Sequence, residues 1–134
     1  MIRQLVVGDV LAELEVGPIS RTTLALFAGA SGDHNPIHID IDFAKASGVD
    51  DVFAHGMLSM AYLARLLTDN FPQESIRSYQ VRFTAITPIH GNPTCRGVVR
   101  DVRDAHGEKL AAIDLEVSLE DGTTTLRGDA VVAL

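Results

Sequence analysis

Apolar and polar positions along this chain keep two different rhythms. From Met57 to Leu67 the run MLSMAYLARLL holds only Ser59 and Arg65 as strongly polar positions, and a helix apolar nearly all round belongs in a core. Taken from Ala54 to about Asp69, it would be roughly 24 Å long at about 1.5 Å per residue. One partner helix cannot bury that length, so a curved sheet is the expected cover. From Ile76 onward the period drops to two. Tyr79, Val81, Phe83 and Ala85 alternate with Ser78, Gln80, Arg82 and Thr84 until Pro88 and Gly91-Asn92-Pro93 break the run. Thr94 to Arg103 reads as a more polar strand, and Asp104-Ala105-His106-Gly107 as a hairpin turn. Ala111, Ile113, Leu115, Val117 and Leu119 then form the inward set of the next strand. Asp121-Gly122 turns the chain into a last strand ending Ala130-Val131-Val132. Links this short require antiparallel neighbours.

Ahead of the long helix, Val10 to Val16 alternates and predicts a strand, with Val10, Ala12, Leu14 and Val16 on one side and Leu11, Glu13 and Glu15 on the other. Gly17-Pro18 ends it. Ser20 is suited to cap a helix through about Ala30, with Leu24, Phe27 and Ala28 at core spacing and Gly32 as the stop. Asp40 is placed to cap a short helix through Phe43 and Ala46 to Gly48, and Val49 to Phe53 leads to the long helix. The predicted class is α+β: about five antiparallel strands, each with one apolar face, wrapped around one long buried helix.

Size and composition narrow the function. At 134 residues the chain, 1–134, is expected to form one domain with a real core. A hydrophobic fraction of 46% against 22% charged residues argues against disorder. A net charge of −7 with no dense Lys/Arg cluster argues against a nucleic-acid partner. Local arginines leave a phosphorylated ligand open, and Arg82, Arg96 and Arg100 are the candidates, each of which also reads as a plain solvated strand residue. The single cysteine, Cys95, rules out an intrachain disulfide and any Cys-rich metal pattern. The start MIRQLVVGDV has no long apolar signal region, and no apolar run reaches membrane length. A cytoplasmic location and no membrane partner are therefore expected.

The chemistry-bearing stretch is the loop from Ser31 to His38. Asp33 and His38 form an acid/base-capable pair five residues apart, with Asn35 and Pro36 between them. Pro36 forbids a continuous helix and biases Asn35 toward extended geometry, while Gly32 can supply any unusual φ. The same composition also makes an ordinary turn in which Asp and Asn bond nearby backbone. Beyond the loop, His55-Gly56 opens the long helix, whose first N–H groups lack intrahelical acceptors and carry partial positive charge. That is a site for an anion or oxyanion. His55 itself reads as structural, bonding backbone or packing under the loop. His34, His38, Asp33 and Asp40 crowd together as a rival metal set, but Pro36 denies the helical i, i+4 histidine geometry, so no metal is expected. His90 and His106 fall in turns as bystanders, and Met57 and Met60 have the character of core fillers.

Phe27 to Asp40, FAGASGDHNPIHID, followed by His55-Gly56-Met57, resembles the signature of the MaoC-like, or (R)-specific enoyl-thioester hydratase, family, whose fold is the hot-dog. VRFTAITP, Val81 to Pro88, is similar to that family's central strand, above all in the actinobacterial 3-hydroxyacyl-carrier-protein dehydratases. The resemblance implies that Asp33 and His38 are the catalytic pair, that Asn35 fixes the loop, and that the Gly56 N–H is the oxyanion donor. Asn35, His55 and Met57 are then the candidate substrate-binding residues, and no cofactor is implied. Hydrating a C2–C3 double bond beside a thioester needs a base for water, an acid for C2 and a dipole for the enolate-like oxygen. Ala64 stands where some relatives carry a serine. A thioesterase on the same fold would be expected to place a carboxylate mid-helix, and none is there. A non-catalytic partner subunit would lack the dyad. The implied partners are an acyl-CoA or acyl carrier protein thioester and a second copy of the chain, or a related subunit in its place.

Overall fold

Residues 4–134 are described by the computed structural model, and its helices begin where capping chemistry puts them. Ser20, in extended geometry, accepts the Thr23 N–H and opens α1, Arg21–Ser31. Gly32 closes α1 at φ 77°, a left-handed position that glycine enters without a Cβ clash, and donates its N–H to Ala28. Asp40 accepts from Asp42 and Phe43 and opens α2, Ile41–Ala46. The long helix is α3, Gly56–Asn70.

The strands are β1, Leu14–Glu15; β2, Ile76–Phe83; β3, Thr94–Ala105; β4, Glu108–Ser118; and β5, Thr124–Ala133. They form one antiparallel sheet in the order β1-β3-β4-β5-β2. Between β3 and β4 the chain reverses over His106-Gly107, both at positive φ (53° and 76°), the two-residue turn whose twist matches that of paired strands. The inward set of β4, Ala111, Ile113, Leu115 and Val117, is buried with Cys95 and Val99 of β3 and Leu126, Ala130 and Val132 of β5. Leu63, Leu66 and Leu67 of α3 fill the same core. This is the hot-dog arrangement, a curled sheet around a helix. A second apolar cluster of Ile19, Leu24, Ala44, Val52, Ala54 and Leu58 seats α1 and α2 beside the first turn of α3. That cluster brings the loop after α1 to the α3 N-terminus.

The structure corrects three details. Only Leu14 and Glu15 of the predicted Val10–Val16 strand form a ladder, against Cys95 and Thr94. Upstream, the Leu11 N–H donates to Gly97 at 2.9 Å and Val10 makes an isolated bridge to Val98. Leu11 therefore points inward at 1% exposure and Val10 outward at 64%, because the segment clips to β3 at both ends and loses phase between them. Helix α3 is not covered all round: Met57, Ala61, Arg65 and Thr68 line an open stripe, while Leu58, Leu63, Leu66 and Leu67 are buried. Phe83, expected in the core with Tyr79 and Val81, is 53% exposed at the end of β2, where its ring lies over Gly56, which has no side chain to pack against it.

Candidate active site

The loop between α1 and α2 is stiffened by its own polar side chains. Ser31 Oγ accepts the Asp33 N–H at 3.1 Å, and Asp33 Oδ1 accepts the Asn35 N–H at 3.2 Å. Asn35 Oδ1 accepts the Ile37 N–H at 3.1 Å, opening the 3-10 turn Pro36–His38. These contacts carry His38 inward, to 8% exposure, while the Asp33 side chain stays half exposed. The His38 ring is oriented by Phe53, whose backbone carbonyl lies 2.8 Å from Nδ1. A carbonyl only accepts, so Nδ1 carries the hydrogen and a neutral His38 presents its Nε2 lone pair. Asp33 Oδ2 stands 3.9 Å from that nitrogen.

His55 lies beneath the pair. Its ring is 1% exposed, stacked on His38 at 3.9 Å between centroids and touched edge-on by Phe27 at 4.9 Å. Nε2 donates to the Asp33 backbone carbonyl at 3.2 Å, while Nδ1 is buried with no hydrogen-bond partner among the described residues. Burial pushes the His55 pKa below the ordinary histidine value; the bond to Asp33 pulls the other way, and nearby His38 adds to the lowering. A neutral imidazole thus supports the loop from below, and its side chain has no open face for a substrate.

Gly56 begins α3 with no side chain among the described residues capping the helix; the Leu58 N–H donates back to the His55 carbonyl at 3.1 Å, and the Gly56 and Met57 N–H groups have no intrahelical acceptor. A Cβ at Gly56 would fall 3.0 Å from Cε1 of the Phe83 ring, so any side chain there would have to push the ring aside. Gly56 and Phe83 line a cleft of about 340 Å³ with Phe53, Ser59, Ile86 and Leu126. Asp33 and His38 do not line it. Phe53 joins the two, since its ring also meets His38 edge-on at 5.2 Å. Asn35 is exposed on the loop, and Met57 is 57% exposed on the first turn of α3.

Asp33, His38 and His55 each bring a donor atom within 4.8 Å of the others. The set does not suit a metal ion, because lone pairs lie in the ring planes and the two rings are stacked with planes only 26° apart, while His38 Nδ1 and His55 Nε2 are already engaged with the Phe53 and Asp33 carbonyls. Of the rival ligands, Asp40 is engaged in capping α2. The phosphate candidates lie on the outer face of the sheet: Arg96 pairs with Glu13 at 2.7 Å, and Arg100 with Asp114 at 2.6 Å. Arg82 has no ion-pair partner among the described residues.

The carbonyl of Phe53 left no trace in the sequence, since any residue has one. Phe83 was hidden by strand alternation that marked it as core. Ser59 stood out as a lone polar residue in an apolar helix, but its contact with Thr87 depends on where β2 ends.

The MaoC like domain family matches residues 7–120 of this chain, and the chain belongs to that family. It is 31% identical over 96 residues to the mitochondrial 3-hydroxyacyl-[acyl-carrier-protein] dehydratase of Arabidopsis thaliana, a match over 72% of this chain and 55% of that protein, little more than half its length. It is 28% identical over 120 residues to 3-hydroxyacyl-thioester dehydratase Z of Mycobacterium tuberculosis, covering 84% of this chain and 80% of the relative. Among solved structures, the (R)-hydratase from Aeromonas caviae superposes with a TM-score of 0.87 at 25% identity over 99% of both chains. R-hydratase PhaJ1 from Pseudomonas aeruginosa gives 0.85 at 26% identity over 96% of this chain and 82% of that one.

Proposed function

We propose that this chain is a hydro-lyase that adds water to trans-2-enoyl thioesters to give (R)-3-hydroxyacyl thioesters, and runs the reverse dehydration. The observation that carries this reading is the 3.9 Å separation of Asp33 Oδ2 from His38 Nε2. A water about 2.8 Å from both would see them roughly 90° apart, close to the angle between its own two O–H bonds. The water oxygen attacks C3, the pair takes the proton it sheds, and a proton returns to C2 from the same face, so addition is syn. Charge that collects on the thioester oxygen is met by the Gly56 N–H at the α3 N-terminus. Asn35 holds the loop and Met57 flanks the substrate's entry. His55 acts from beneath, through Asp33 and His38. Nothing in this sequence of steps calls on a metal or cofactor.

The whole chain, 1–134, acts as one domain on an acyl group carried by coenzyme A or acyl carrier protein. Its partner is a second copy, or a related subunit, joined through β2. That strand is eight residues long and, among the described residues, pairs with β5 on one side only, and such an open edge invites pairing. Among the described residues, no helix is long and apolar enough to cross a membrane. The buried Cys95 thiol, pushed up to about 12 by burial, suits a reducing cytoplasm but has no part in the chemistry.

The test is a panel of trans-2-enoyl thioesters of increasing length on both carriers, read by the conjugated enoyl absorbance. A fall with at least one substrate is expected. Unchanged absorbance across the whole panel would overturn the reading.

A further inference from the structure

The cleft beside Gly56 is apolar along Phe53, Phe83, Ile86 and Leu126, yet two hydroxyls face each other within its lining. Ser59, one turn into α3, is 3% exposed, and Thr87, just past β2, is 4% exposed. Their oxygens lie 3.4 Å apart, well beyond the usual O–H···O length of about 2.7–2.8 Å. Neither hydroxyl has another hydrogen-bond partner among the described residues. The third hydroxyl of the lining, on Thr84, already donates to the Thr124 carbonyl at 2.7 Å. Two hydroxyls bring two hydrogens and four lone pairs, and one long mutual contact uses one hydrogen. The second hydrogen and most of the accepting capacity are unspent.

Thr87 is held in place from the other side, because its backbone carbonyl accepts the Ala54 N–H at 2.9 Å. Ser59 sits roughly 4.5 Å along the helix axis from Gly56, at about 1.5 Å per residue. A thioester with its oxygen at the Gly56 N–H would therefore send the far part of its acyl chain past these hydroxyls. A plain alkyl chain there displaces water and leaves buried hydroxyls without partners, which is unfavourable. A chain bearing an oxygen restores the lost bond.

We infer that the Ser59–Thr87 pair is a specificity determinant that favours acyl chains carrying a hydroxyl or carbonyl beyond the reacting carbons over wholly hydrocarbon chains of the same length. The inference rests on the enoyl-thioester reading for the identity of the ligand, but its test does not depend on turnover. Binding of saturated acyl-CoA pairs, butyryl against 4-hydroxybutyryl and hexanoyl against 6-hydroxyhexanoyl, is measured by calorimetry with the unaltered protein. The same pairs are then measured with the Ser59→Ala/Thr87→Val variant and, as a milder change, Ser59→Ala alone. The oxygenated member of at least one pair should bind roughly three- to tenfold tighter to the unaltered protein, the scale of one net hydrogen bond. The double variant should abolish or invert that ratio. Equal affinities in the unaltered protein, a ratio that survives in the variants, or no binding of any of the four would overturn the inference. Failure of the hydratase reading shows separately, as enoyl absorbance that never falls.

Discussion

The backbone carbonyl of Asp33 accepts a hydrogen bond from His55 Nε2, 22 residues further along the chain, at 3.2 Å. This one contact ties the polar loop to the first residue ahead of α3, and so fixes the proposed acid/base pair relative to the helix end that would meet the thioester oxygen. The stacking of His55 on His38 at 3.9 Å adds a second tie between the same parts. Rigid support of this kind matters because catalytic groups must be held within about half an ångström of the productive geometry.

Asp33→Asn and His38→Gln should each lower kcat by roughly two to four orders of magnitude, the usual scale for a general acid or base. Asp33→Asn keeps the loop contacts, and His38→Gln gives up the ring contacts with His55 and Phe53 but leaves an amide donor for the Phe53 carbonyl, so the circular-dichroism spectrum should be preserved. A variant that keeps near-native turnover would remove its residue from the mechanism.

His55 predicts how folding stability depends on pH. Its folded pKa lies below the ordinary value of 6.5, so the unfolded chain binds a proton first as pH falls. The contribution is fully present above about 6.5 and is lost as pH drops toward the folded value. Asp51, held at about 2 by Arg21, acts only in more acid solution. Thermal melts from pH 7.5 to 5 should show the melting temperature falling in the unaltered protein, with a shallower slope in His55→Gln. Parallel slopes would contradict the assignment.

How much of this was legible in the sequence depends on how local each signal is. The Ser20 and Asp40 caps, the Gly32 stop and the long helix were readable because each rests on a few neighbouring residues. Asp33 and His38 were readable as a pair because Pro36 restricts the backbone between them. The inward side of the Val10–Val16 segment was not, because its phase is set by distant bonds to Gly97 and Cys95. Nor were Phe83 over Gly56 or Ser59 facing Thr87, since both contacts depend on how the end of β2 passes the start of α3.

Gly56→Ala puts a methyl group 3.0 Å from the Phe83 ring and should lower kcat/KM roughly tenfold, about 1.4 kcal/mol of transition-state stabilisation. Phe83→Ala in the same chain should recover part of that loss by making room. Strictly additive effects in steady-state kinetics would show that the two residues do not act through contact.

Pairing through β2 predicts a species of twice the 14.4 kDa chain mass in light scattering. A monomer that retains full activity would exclude any need for a partner.

The product of crotonyl-CoA separates a hydratase from a thioesterase, because a water shared by Asp33 and His38 would be aimed at C3 and not at the thioester carbon. Enoyl absorbance should fall, (R)-3-hydroxybutyryl-CoA should accumulate to an equilibrium reachable from either side, and thiol titration should stay flat. An (S)-specific 3-hydroxyacyl-CoA dehydrogenase added to the assay should give no signal. Signal from that enzyme, or stoichiometric release of free coenzyme A, would contradict the (R)-hydratase reading.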